Sequence, residues 1–270
     1  MNKTKKPIEK EIIDLHQDAA NCRACFKKFK NINQDSVVKG AQPRSIGEDY
    51  FSQKVRVCLI LINPGKAHTQ SDGGWDKYLT PLKEAKDSTE KNLAWKGIQD
   101  FIEREEPDWG RIKGNWEKLY YHSLGLTKKQ LAMVNIMMCA EDDNDYQSEP
   151  TLDECFFKQR KSLDIIKSLN PHKIILSGIE PIKFFYRNPP NSFVPLRDRR
   201  NNYWNKVLTA KGEDALKKIE FQRINKSQIK EEITTELPNS EFYWIGHYAA
   251  RHIKYDEAIE DAETFAFSSL

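Results

Sequence analysis

The stretch Val55 to Ile62 reads VRVCLILI, a nearly continuous apolar run of strand length. A strand with one wet face alternates apolar and polar residues. An unbroken run instead demands burial on both faces, which a parallel sheet covered by helices supplies. Leu131 to Met138 (LAMVNIMM), Lys173 to Ser177 (KIILS) and Phe242 to Ile245 (FYWI) have the same character. Turn signals close three of the four: Asn63-Pro64-Gly65, Gly178, and Gly246-His247. Between the second and third runs the pattern predicts one helix over Thr151 to Leu169. Thr151 and Glu154 form its capping box, and Pro171 lies just beyond its end. Pro7 to Ala20 carries Ile8, Ile12, Leu15 and Ala19 at helical spacing. Strand–helix–strand alternation predicts an α/β chain: a three-layer α/β/α sandwich around a central parallel sheet of about four strands, with insertions.

A length of 270 residues is enough for one good core. The expected organisation is a single domain over 1–270, with the N-terminal helix and a Cys-x-x-Cys segment at 1–40. Two stretches read as insertions: about 91–125, rich in Trp, Tyr and Lys, and about 189–238, polar and basic. No stretch approaches the roughly 18 apolar residues of a membrane span. With 31% charged residues and a mean hydropathy of −0.74, a soluble chain without a membrane partner is expected. Met1 to Lys10 is lysine-rich with no apolar run behind it, so a cytoplasmic location is expected. The net charge of +3 is small. Nucleic acid would have to be met by local basic clusters, such as Lys27 to Lys30 or Arg197 to Arg200, although such runs also serve as solvated faces.

The cysteines are unevenly placed. Cys22 and Cys25 form a Cys-x-x-Cys pair, Cys139 and Cys155 follow sixteen residues apart, and Cys58 lies inside the first apolar run. In a cytosolic chain such a set reads better as a metal site than as disulfides. Four thiolates suit a [4Fe–4S] cluster or zinc; scattered reduced cysteines are the plain alternative. Open parallel sheets bind ligands beyond the carboxyl ends of their strands. Asn63, Asn135 and His247 fall there. Asn135 is the oddest, an amide inside an apolar strand that must find partners for both its ends.

Taken in order, several segments resemble the uracil-DNA glycosylase superfamily, and most closely its iron–sulfur branch, the family 4 enzymes. They are Asn21-Cys22-Arg23-Ala24-Cys25, Val37-Val38-Lys39-Gly40, Leu61-Ile62-Asn63-Pro64-Gly65, Asn135-Ile136-Met137-Met138-Cys139, the Ser177-Gly178 turn, and Gly246-His247-Tyr248-Ala249-Ala250-Arg251. Cys155 follows at the family's spacing. The departures are specific. Ile62 stands where family 4 has a glutamate, Lys66 and His68 where it has acids, and Tyr248 where it has a proline. Asn63-Pro64-Gly65 instead resembles the mismatch-specific and thymine-DNA glycosylase branch, in which the asparagine is catalytic and C5 substituents are tolerated.

The resemblance implies a monomeric DNA glycosylase that hydrolyses the N-glycosidic bond of a flipped-out uracil or C5-modified pyrimidine, in base-excision repair or defence against phages with modified genomes. It implies Asn63 and His247 as catalytic residues. Asn135 would read the base edge, Ile62 would form part of the pocket wall, and Trp75 or Tyr78 would stack on the base. Arg251, Arg197, Arg199 and Arg200 would contact DNA phosphates. A [4Fe–4S] cluster, with zinc as the alternative, would sit on Cys22, Cys25, Cys139 and Cys155. The segment 91–125 would widen the pocket. The competing classes are a non-catalytic nucleic-acid-binding relative of the same fold and an unrelated zinc-binding doubly wound domain.

Overall fold

A computed structural model describes residues 7–26, 28–29, 41–62, 75–105, 116, 120–121, 124–139, 149–188 and 221–245. Five strands form one sheet: β1 (Val57–Leu61), β2 (Leu131–Asn135), β3 (Lys173–Ser177), β4 (Phe221–Ile224) and β5 (Glu241–Ile245). Their order is β2-β1-β3-β5-β4. The first four are mutually parallel, and β4 joins β5 antiparallel at the edge. The chain is therefore α/β with a mostly parallel central sheet, and all four apolar runs are parallel strands. The edge strand β4 lies inside the stretch expected as the second insertion. Its four residues, FQRI, carry no apolar run that would have revealed it.

The continuous runs have the expected cause. Cys58, Ile60, Ala132, Val134, Ile174, Leu176, Phe242 and Trp244 enter one apolar cluster. Their alternates Val57, Leu59, Leu61, Leu131, Met133, Ile175, Tyr243 and Ile245 enter another, which is roofed by Trp116, Tyr120, Tyr121 and Leu124. Both sheet faces are thus buried. At roughly 25 cal/mol per Å² of apolar surface removed from water, this burial is the main force holding the strands together.

The described helices are α1 (Pro7–Asn21), α2 (Asp76–Glu84), α3 (Ser88–Glu105), α4 (Glu149–Asp153), α5 (Lys161–Leu169), α6 (Ile179–Phe185) and α7 (Glu231–Glu236). α1 packs against α2, α3 and α5, burying Ile12, Ile13, His16 and Ala19. The expected insertion at 91–125 starts inside α3, whose Ala94, Ile98, Phe101 and Ile102 form a third apolar cluster with Ile13 and α2. That part of the stretch is core. No described helix is long and apolar enough to cross a membrane.

The helix expected over Thr151 to Leu169 is broken. α4 starts before Thr151, a π-helical turn follows at Glu154–Lys158, and α5 begins after Arg160. Arg160 adopts a left-handed φ of 56°, which costs a non-glycine residue roughly 1–2 kcal/mol. Its guanidinium offsets this by donating to Asp164 Oδ1 at 3.0 Å and Glu236 Oε1 at 2.8 Å. The Thr151–Glu154 capping box does not form: Thr151 is the third residue of α4 rather than its N-cap, and the Glu154 carboxylate accepts from Lys28 and Gln159. The predicted stop does hold: Asn170, left-handed at φ 46°, ends α5 just before Pro171.

Residues 41–47 cover the free edge of β2. Gln42 N donates to Met138 O at 2.8 Å, Met133 N to Ser45 O at 2.8 Å, and Gly47 N to Leu131 O at 3.0 Å. Gly47 is required there, since a Cβ would lie 2.2 Å from the Lys129 carbonyl oxygen.

Candidate active site and cysteine cavity

The parallel strands β1, β2, β3 and β5 end at one edge of the sheet, where the chain leads on to Asn63, Ile136, Gly178 and Gly246. Asn63, His247, Arg251, Arg197, Arg199 and Arg200 lie outside the described residues. Asn135 is the last residue of β2, in register with Leu61. It is 1% exposed, and neither Nδ2 nor Oδ1 has a hydrogen-bond partner among the described residues. Buried polar groups are nearly always paired, and leaving one unmet costs about 1–3 kcal/mol. A buried amide with neither end met among the described residues offers one donor and one acceptor at the carboxyl end of a parallel sheet, the edge where such sheets bind ligands.

The structure places the three other expected pocket residues as follows. Ile62 packs against the apolar cluster on the sheet face opposite Asn135. Its backbone carbonyl accepts from Met137 N at 3.0 Å, so the strand exit is fixed. Trp75 is 8% exposed and sits edge-on to Phe101, with centroids 4.9 Å apart. Tyr78 stacks on Phe101 at 4.3 Å and 19°, and its hydroxyl accepts from Arg104 Nη2 at 2.9 Å. Both aromatics are fillers between α2 and α3, placed there by helical spacing, rather than open stacking faces.

Two residues at this edge were missed. Tyr120, fully buried, hydrogen-bonds to the hydroxyl of Ser177. Ser177 ends β3 opposite Ile245. Tyr120 packs in the cluster that contains Leu61 and Met133, the face that Asn135 continues. Of the described aromatics in the 91–125 stretch, Trp116, Tyr120 and Tyr121 fill this face, while Trp95 and Phe101 pack in the α2–α3 cluster. The turn beyond β3 is pinned. Gly178 has φ 85°, its N–H donates to Ile245 O at 2.8 Å, and Trp244 Nε1 donates to its carbonyl at 3.0 Å. Ser177 was legible only as a strand-end residue; Tyr120 had no signal beyond its aromatic neighbourhood.

Cys22, Cys25, Cys139 and Cys155 all line one cavity, together with Ala19, Phe26, Ala41, Met138, Gln159 and Lys161. α1 delivers the first two: Cys22 N donates to Ala19 O at 3.0 Å, and the chain turns again where Phe29 N donates to Cys25 O at 3.0 Å. Cys139 follows β2 and is bridged to Ala41. Cys155 lies in the π-turn. Burial pushes the Cys25 thiol up to about 12, with the neighbouring Cys155 and Cys22 adding to the effect. Burial likewise holds Cys139 far above the usual thiol range, reinforced by Cys155, Cys25 and Cys22. Cys155 is raised by burial too, against a hydrogen bond from the Met138 backbone and another from Ser162. A metal charge among these sulfurs reverses the sign, because coordinated thiols are deprotonated outright. Among the described residues no three Cys, His, Asp or Glu side chains converge closely enough to hold a single metal ion. Four thiol sulfurs around one cavity are a donor set that fits either a [4Fe–4S] cluster or zinc. Cys58, buried within β1, belongs to the core and not to this set.

No protein-family model matches the chain, and no curated protein matches its sequence.

Proposed function

We propose that the chain is a monofunctional DNA glycosylase acting on uracil or a C5-modified pyrimidine, with an iron–sulfur cluster on Cys22, Cys25, Cys139 and Cys155. The observation that carries this reading is Asn135: a buried amide with neither polar end met among the described residues, at the carboxyl edge of a parallel sheet. Its donor and acceptor match the Watson–Crick edge of a pyrimidine. A base reaches such a pocket only when it leaves the duplex, at a cost of a few kcal/mol of unstacking.

Breaking the C1′–N1 bond leaves an oxocarbenium-like sugar and a pyrimidine anion. His247 donates to the base oxygen on which charge grows, a contribution of roughly 3–4 kcal/mol in comparable oxyanion sites. The Asn63 amide orients the attacking water but is too weak a base to ionise it. That suits a path in which the cation forms before water adds. Arg251 and the Arg197, Arg199 and Arg200 run bind phosphates, which position the duplex without reading sequence. The cluster, when bound, supplies a structural tie between the Cys22–Cys25 segment and the Cys139–Cys155 region.

The test is a panel of oligonucleotides carrying uracil, thymine mismatches or C5-modified cytosines, scored for abasic sites. Release of at least one base by the wild type, lost in Asn63→Ala, is expected. DNA binding with no base released from any substrate would favour a non-catalytic nucleic-acid-binding protein instead.

A further inference from the structure

Cys155 is the second residue of the π-turn Glu154–Lys158, closed by Gln159 N donating to Glu154 O at 2.8 Å. Single π-turns are rare and recur where a side chain has to be placed. This one also places the Glu154 carboxylate, whose side chain is 2% exposed. Three donors converge on it. Lys28 Nζ lies 2.8 Å and Gln159 Nε2 2.9 Å from Oε1, while Lys158 Nζ lies 3.6 Å from Oε2. Lys158 and Gln159 belong to the same turn. Lys28 does not: it lies 126 residues away, in the turn where its own N–H donates to Cys25 O at 3.1 Å. One buried carboxylate, adjacent in the chain to Cys155, therefore grips the segment that carries Cys22 and Cys25. A carboxylate is buried only at high cost unless it is paired, and Glu154 is not used to cap a helix here.

We infer that Glu154 is a positioning residue for the cysteine cavity: through Lys28 it holds the Cys22–Cys25 segment against Cys139 and Cys155. The inference rests on reading the four cysteines as one ligand set. It assigns the set an assembly device that lies outside the ligands themselves and precedes any metal.

The experiment compares wild type, Glu154→Gln, Lys28→Met and the double variant as full chains. In metal-free protein, alkylation by iodoacetamide is followed at each cysteine by mass spectrometry. About tenfold faster modification of Cys25 is expected in both single variants, with Cys58 unchanged as the internal control. The double variant should be no more than about twofold faster than Glu154→Gln, because the two residues act as one pair. Electrostatics alone gives a different pattern, since losing a cation slows thiolate formation at Cys25 while losing an anion speeds it. Slower or unchanged alkylation in Lys28→Met would overturn the latch, as would Cys58 accelerating in step. Lys28 is half-exposed, so its variant stays informative should Glu154→Gln fold poorly. In iron-reconstituted protein, chelator bleaching of the absorption near roughly 400 nm should be faster in both variants. A wild type that takes up no iron would remove the cluster, and the alkylation rates would still decide the latch.

Discussion

Two buried polar groups on opposite faces of the sheet behave differently. On one face, the Glu154 carboxylate beside the cysteine cavity is met by Lys28, Gln159 and Lys158. On the other, the Asn135 amide is equally buried and has no partner among the described residues. Among the described residues, the chain's own side chains complete the first site and do not complete the second. On the proposed function, that separates a structural end, where polar atoms organise the protein, from a recognition end, where they organise a ligand. The same burial raises thiols at the first end and raises the cost of a mismatched ligand at the second.

The largest expected effects test whether the Asn135 edge is catalytic at all. Asn63→Ala and His247→Ala should each cut base release by 10²- to 10³-fold, through lost water positioning and lost stabilisation of the departing anion. DNA affinity should persist, because phosphate contacts supply most of it. Single-turnover rates near wild type in both variants would remove these residues from the mechanism and leave Asn135 without a reaction to serve.

His16 offers a third buried group, on the structural side of the comparison. Its ring Nδ1 lies 2.9 Å from Ile12 O, and it packs 4.6 Å from Trp95. Burial lowers its pKa to about 4, so the folded chain holds it neutral while the unfolded chain titrates near 6.5. Between those values the unfolded state binds more protons. The stability contribution is thus complete above about pH 6.5 and is lost as pH falls toward 4, by about 3 kcal/mol in all. His16→Gln should flatten this part of the urea-midpoint profile against pH; an unchanged slope would place the acid sensitivity elsewhere.

Glu154→Leu should lower stability by about 2 kcal/mol, from loss of charge-assisted hydrogen bonds between the π-turn and the segment that follows α1. Chemical denaturation of the metal-free chain measures this directly. A neutral outcome would show that the carboxylate's desolvation cancels its partners, as happens for some buried ion pairs.

The sheet was legible because its strands are buried on both faces, which leaves no ambiguity of period: the third run, Lys173 to Ser177, matches β3 end to end. The antiparallel edge strand was hidden, since FQRI needs only β5 beside it and carries no two-faced pattern. The break between α4 and α5 was hidden for a different reason. Thr151 and Glu154 have the spacing of a capping box, but the helix starts two residues earlier and Glu154 binds Lys28, 126 residues away, a contact that no local pattern encodes. At the site, Asn135 was legible because an amide in an apolar strand is costly wherever it goes. Trp75 and Tyr78 were not distinguishable from stacking aromatics until Phe101, some twenty-five residues away, was seen to occupy them.

The smallest expected effects are the most decisive for Asn135 itself. If its amide is unmet in the free protein, Asn135→Leu removes two unsatisfied polar atoms and keeps the branched side-chain shape. It should leave stability unchanged or raise it by about 1 kcal/mol, the opposite sign from Glu154→Leu. The same variant should lose discrimination among bases. Asn135→Asp keeps the volume but exchanges a donor for an acceptor. It should shift preference between uracil-like and cytosine-like edges by about tenfold, or about 1.4 kcal/mol, as a mismatched buried edge replaces a matched one. The two readouts constrain each other. A strong loss of stability in Asn135→Leu would mean that the free chain already satisfies the amide with residues beyond those described. The group would then belong with Glu154, as part of the scaffold, and the specificity shift in Asn135→Asp should vanish with it.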